Sequence, residues 1–142
     1  MNYVVGAPML VSQRFLDRIG RMREDYFLYC EEVEWCLRAG RMGERLGYAP
    51  AAIAVHAHGT STGGGGALRQ RSKLAVYLLE RNRILVTRDL YSGRLIPVAL
   101  VVLLHLALRY ARGRAWRQLG YALAGWAAGL RNERGRPAWV PA

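Results

Sequence analysis

The sequence predicts a mixed α/β first part followed by helices, and three patterns predict it. Residues 3–11 (YVVGAPMLV) and 46–58 are rich in β-formers bounded by Gly and Pro. Between them, the segment EEVEWCLRAG carries Val33 and Leu37 four apart and then Gly40, which is the spacing and stop of a helix over residues 31–39. Beyond residue 66 the chain is dominated by long apolar stretches at helical spacing.

Each element follows in order. A strand is expected over residues 3–11; opening with no earlier element to pair with, it suggests a truncated chain. Residues 15–19 form a short helix that stops at Gly20. The helix over residues 31–39 comes next, then a strand entering a loop, where Tyr48, Pro50 and the run AAIAV lead to His56 and His58. Residues 60–66, with four consecutive glycines, read as a flexible linker and the main internal boundary. A helix over residues 67–88 is expected to bury Leu74, Leu78 and Leu85.

Residues 95–108 are apolar apart from Pro97 and His105. As a helix this run is about 21 Å long, short of the roughly 30 Å hydrocarbon core of a bilayer, so it is not expected to span one. A second pattern, Trp116, Leu119, Leu123, Trp126 and Leu130, is bracketed by arginines on both sides. The pair suits helices lying in a membrane interface, or a helical hairpin packed on its own domain. The chain thus divides into residues 1–66, a connecting helix over 67–93 and a helical tail over 94–142.

Charge separates the same parts. Residues 1–66 are neutral, and the whole formal charge of +11 lies in residues 67–142. Such a basic half can meet nucleic acid, an anionic membrane or an acidic ligand. Its arginines are interleaved with apolar helices and not with stacking aromatics, which argues against nucleic acid. Cys30 and Cys36 are too few for a disulfide scaffold, and residues 1–20 lack the order of a signal peptide, so a reduced, cytoplasmic compartment is expected.

Few residues offer chemistry. Glu31, Glu32 and Glu34 stand at the start of a helix, where the dipole alone favours them. A carboxylate there could equally take the proton of an attacking hydroxyl, and Glu32 points about 100° away from Glu31. His56 and His58, two apart, would share one face of an extended segment and suit a divalent metal, or be loop histidines without a ligand. The cysteine and histidine spacing fits no zinc site, and neither a phosphate-binding glycine loop nor a D-x-D motif occurs.

Taken in order, VVGAPMLV, FLDRIGRM, EDYFLYCEEVEWCLRAGRMGERLGYAP and AIAVHAHGTSTG resemble the second half of family 2 glycosyltransferases of the rhamnosyltransferase-like group. The likeness covers residues 3–63 and, more loosely, the Arg-rich tail with its E-R-N-R segment at residues 80–83. It implies that residues 1–66 are the acceptor-side, C-terminal part of a GT-A nucleotide-diphospho-sugar transferase fold, followed by basic amphipathic and apolar helices that associate peripherally with the cytoplasmic face of the membrane. It implies transfer of a sugar, with inversion, from a nucleotide-sugar donor to a glycan or lipid-linked acceptor in cell-surface polysaccharide synthesis. Glu32 would be the base and Glu31 its neighbour. His56 would help hold a divalent metal, Mg or Mn, on the donor diphosphate. Arg23 departs from the family pattern, which carries an acid there. The donor-binding half with its D-x-D motif is not in this sequence, so the chain alone is expected to be inactive and to need an N-terminal partner polypeptide. The different class to weigh against this is a non-enzymatic membrane-associated interaction protein with a basic tail.

Overall fold

The computed structural model describes residues 3, 8–55, 63 and 66–141. Five α-helices order them: α1 (Gln13–Ile19), α2 (Glu31–Arg41), α3 (Lys73–Leu90), α4 (Leu95–Arg112) and α5 (Trp116–Leu130). The expected α/β architecture, and with it the GT-A fragment, is overturned: the described residues are helices, turns and loops, with no strand among them. Residues 46–55 are irregular, with Ile53 92% and Val55 100% exposed. β-Propensity measures the fit of a side chain to a pleated, half-buried surface, and among the described residues no such surface lies beside this segment. Of the other expected strand, residues 4–7 lie outside the described residues and residues 8–11 are irregular.

The helices start and stop where local chemistry says they should. Ser12 caps α1 by accepting from Phe15 N at 3.1 Å, and Ser72 caps α3 by accepting from Ala75 N at 3.1 Å. Gly20, at φ 80°, ends α1. Pro97 falls in the first turn of α4, where its missing N–H costs no helical bond. Gly40 does not stop α2, which continues to Arg41.

α3 is the hub. Residues 76 and 84 of α3 meet Ala99, Val102, Leu106 and Tyr110 of α4 and Ala122 of α5 in the largest apolar cluster. Burying one leucine of the Leu106 kind contributes about 1.5–3 kcal/mol. α5 runs alongside α3 in the same direction at unusually close range. A Cβ placed on Gly125 would stand 2.2 Å from the Tyr77 carbonyl oxygen, and one on Gly129 2.7 Å from that of Arg81. The seam of α5 is therefore made of its small residues, Ala122, Gly125, Ala128 and Gly129, while Trp116 and Leu123 of the expected apolar stripe remain exposed.

A smaller cluster joins α1 to α2 through Ile19, Phe15, Trp35 and Ala39, with the Phe15 and Trp35 rings edge to face at 5.0 Å. Trp35 Nε1 donates to Gly20 O at 2.9 Å, and Arg38, paired with buried Glu34 at 2.8 Å, donates to the Ile19 and Arg21 carbonyls. The two helical groups are tied by ions. Arg23 donates to Asp25 (2.6 Å) and Asp89 (2.8 Å), while Arg134 reaches Asp25 (2.9 Å) and Asp89 (2.6 Å). The Tyr26 hydroxyl completes this knot by donating to Asp89 at 2.8 Å.

Two predictions test this packing. Gly125→Ala should cost at least about 1–3 kcal/mol of unfolding free energy, the cost of overpacking. Gly120→Ala, which meets nothing within 4 Å, should raise it by up to about 1 kcal/mol through helix propensity. Urea unfolding of the two variants should therefore move in opposite directions, and equal shifts would disprove the close α3–α5 contact. The knot predicts acid sensitivity. Burial pushes the Asp25 and Asp89 carboxyls up, but hydrogen bonds from Arg23, Arg134 and Tyr26 and the nearby guanidinium charges outweigh it, so both titrate below their ordinary 3.8. Their stabilisation is full above that value and is lost as pH falls through the lower folded values. Stability measured from pH 7 to pH 2 should hold above about pH 5 and decline below about pH 4, less so in Asp89→Asn.

Candidate functional site

The sharpest local anomaly lies just before α2. Phe27, Tyr29 and Cys30 adopt φ of 68°, 70° and 65°, in the left-handed region that side chains with a Cβ avoid. Each such residue costs on the order of 1–3 kcal/mol, and it persists only where its surroundings dictate it. Here α3 dictates it. Asn82 Nδ2 donates to the carbonyls of Tyr26 (3.0 Å), Leu28 (2.7 Å) and Tyr29 (2.7 Å). Arg81 donates to Tyr26 O at 2.8 Å and to Asn82 Oδ1 at 2.9 Å, and braces the far side through Gly135 O at 2.7 Å. Both side chains are almost wholly buried.

This turn delivers the chain into α2 at Glu31 and Glu32. Both carboxylates are partly buried in the first turn, where the helix dipole favours them. Glu31 Oε2 is buried and has no hydrogen-bond partner. Burial pushes the Glu31 carboxyl up, its own backbone N–H opposes this, and the Glu32 charge pushes it further up. Cys30, between turn and helix, is a free thiol raised to about 12 by burial and by the Glu32 charge. It is therefore no thiolate nucleophile near neutrality. Glu34 is separated from this pair in role: it is buried against Arg38 and holds α1 to α2.

Next to the turn lies a cavity of about 50 Å3 lined by Tyr29, Arg71, Ala75, Val76, Leu79 and Tyr110. Glu80, fully buried on α3, pairs with Arg83 at 2.9 Å. A wider, open cleft of about 610 Å3 lies at the other end of α2, beside Leu37, Arg41, Arg45 and Tyr91. His56, together with His58, lies outside the described residues. Among the described residues, no three His, Cys, Asp or Glu side chains gather as a metal site. Sequence reasoning noted the E-R-N-R segment only in passing. Its function as the brace of the turn leaves one signal in the sequence, three charges and an amide between the apolar runs of residues 74–79 and 84–86.

The comparisons with known proteins define a class, and it is that of proteins named as glycosyltransferases. The chain is similar to the low-salt glycan biosynthesis hexosyltransferase Agl10 of Haloferax volcanii, at 27% identity over 96% of this chain and 45% of the relative. It is also similar to the rhamnosyltransferase WbbL of Escherichia coli K12, at 37% identity over 63% of this chain and 34% of the relative. The chain thus spans less than half the length of either curated relative. No protein-family profile matches it, and no solved structure matches it.

The brace is directly testable. Asn82→Ala removes the donor shared by three carbonyls and should lower the unfolding free energy by about 2–3 kcal/mol, with faster amide exchange over residues 27–31. Asn82→Asp, which sets an acceptor against those carbonyls, should cost more. If both unfold like the parent chain, α3 does not hold the turn.

Proposed function

We propose that this chain is part of an inverting family 2 glycosyltransferase that moves a sugar from a nucleotide-sugar donor to a glycan or lipid-linked acceptor in cell-surface polysaccharide synthesis. One observation carries this reading: a turn kept in costly backbone geometry by buried side chains ends at two adjacent carboxylates. Strain of this kind collects at functional sites, and the relatives' names point to sugar transfer. Glu32 takes the proton of the acceptor hydroxyl as its oxygen attacks the donor's anomeric carbon. The bond to the nucleotide diphosphate breaks on the opposite side, which inverts that carbon. Glu31 keeps Glu32 company in a partly desolvated setting, where its own raised affinity for a proton helps the pair to carry one. Among the described residues no ligand set for Mg or Mn gathers, and His56, the implied ligand, lies outside them.

A second feature supports a peripheral seat on a membrane surface, which the proposed reading puts on its cytoplasmic face. α4 packs one side on the bundle and leaves Ile96, Leu100, Val101 and Leu104 between 61% and 68% exposed on the other. The segment Ser92–Arg112 is long and apolar enough to cross a bilayer, yet its inner face is committed to α3 and α5. A helix so committed suits the interface, with Arg94, Arg112, Arg114 and Arg117 near its ends to meet anionic headgroups. The same face would serve a non-enzymatic membrane-associated protein, and the base separates the two readings.

In a chimera that carries this chain in place of the matched segment of the Escherichia coli relative, Glu32→Gln should reduce sugar transfer by roughly 100-fold or more with stability unchanged. Transfer at the parental rate would reject Glu32 as the base. Leu100→Ser with Leu104→Ser should weaken flotation of the chain with phosphatidylglycerol vesicles several-fold, whereas Glu32→Gln should not. Unaltered flotation would remove α4 as the seat.

A further inference from the structure

The side of α3 that faces Tyr29 and Tyr110 carries more positive charge than its surroundings neutralise. Arg71 lines the 50 Å3 cavity there, and its Nε is buried without a hydrogen-bond partner. Glu80 is 0% exposed, and Arg83 Nη1 stands 2.9 Å from its Oε2. That contact lies off the hydrogen-bonding direction, for neither Glu80 oxygen accepts a hydrogen bond. From α4, the Arg109 guanidinium lies 5.8 Å from the centre of the Tyr110 ring, at the cavity wall. Arg71, Arg109 and His105 bear electrostatically on Glu80 as Arg83 does, and Arg71, Arg83 and Arg109 all bear on Tyr110.

Arg83 thus stands against Glu80, Arg71 lines the cavity and Arg109 flanks its wall at Tyr110, so three guanidiniums border one partly desolvated groove. Charges taken out of water are tolerated when they are paired, and this set is short of anions. A guanidinium fork matches the oxygens of a phosphoryl group two at a time. The space is adequate: one water needs on the order of 10–15 Å3, so the cavity has room for several waters or one small polyatomic anion. Its place is informative too. By helical rotation, His105 and Arg109 sit on the flank of α4 between the packed face of Val102 and Leu106 and the exposed face of Leu104 and Leu108.

We propose that the groove between α3 and α4 is a phosphoryl-binding subsite, in which Arg71, Arg83 and Arg109 hold the oxygens of a phosphate or diphosphate and Glu80 keeps the guanidiniums in position. The ligand is either a soluble diphosphate or the phosphate of a lipid headgroup, since the groove borders the apolar face of α4. The subsite is distinct from Glu32's role as a base, although it borders the same turn: Tyr29 lines it, and Arg83, Glu80, Glu31 and Glu32 all bear on Cys30.

Titration calorimetry of the full chain with inorganic pyrophosphate in 0.15 M NaCl tests the soluble source. Flotation with phosphatidylcholine vesicles, with and without phosphatidic acid, tests the lipid source. Arg71→Gln and Arg109→Gln should each weaken pyrophosphate binding, or the gain in flotation due to phosphatidic acid, by about tenfold or more. Arg14→Gln, on the exposed side of α1, should leave both unchanged. Should Arg71→Gln fail to fold in a circular dichroism melt, Arg109→Gln reads the same subsite from α4. Binding to phosphatidic acid vesicles alone assigns a lipid phosphate, and binding to pyrophosphate alone assigns a soluble one. Absence of both, or binding indifferent to Arg71 and Arg109, overturns the subsite. Glu32→Gln, which removes a nearby negative charge, should bind at least as tightly as the parent does, so failure of the base and failure of the subsite give different results.

Discussion

The donation of Asn82 and Arg81 to the carbonyls of residues 26, 28 and 29 is the interaction on which the candidate site depends. Without it, three residues would relax out of the left-handed region, and α2 would enter at another angle. Donors with such consequences must be rigid, and α3 makes them so by packing α4 and α5 around itself. The close approach of α5, in which glycines lie on the Tyr77 and Arg81 carbonyls, in turn fixes the stretch of α3 that bears the brace. Packing, strain and the presentation of Glu31 and Glu32 are one mechanical chain.

Much of the helical order was legible. Periodicity located α2, α4 and α5 closely, and Ser12 and Ser72 show why helices begin where they do. Leu78 and Leu85 are core residues of α3, as their spacing implied. The β-rich segments misled because propensity says how a side chain would fit a sheet and not whether a sheet is there. Ile53 and Val55 are the plain case: β-branched, adjacent in pattern, and open to solvent. The seam of α5 misled for a different reason. Large apolar residues attract attention, but the backbone approach on α3 leaves room only for Ala122, Gly125, Ala128 and Gly129.

Of the site, the carboxylate pair was visible as a run of acids at a helix start, while the device that presents it was not. Positive φ at Phe27, Tyr29 and Cys30 leaves no mark in composition, because aromatic residues and cysteine are not the ones expected there. The brace was hidden for the same kind of reason: an asparagine within a helix reads as a surface residue until its three acceptors are seen, 53 to 56 positions away. Arg23, at a position where the resemblance implied an acid, proves to be a member of the ionic knot with Asp25 and Asp89.

That knot also gives the last stretch of the chain a part in the architecture of the first. Arg134 bridges Asp25 and Asp89, and Gly135 N donates to Asp25 O at 2.6 Å. A polypeptide cut just after α5 would keep every helix and yet leave two aspartates facing each other with Arg23 as their shared counter-charge. The loop ahead of α2 would feel that loss first, so an end-trimming experiment on this protein reports on its opposite end.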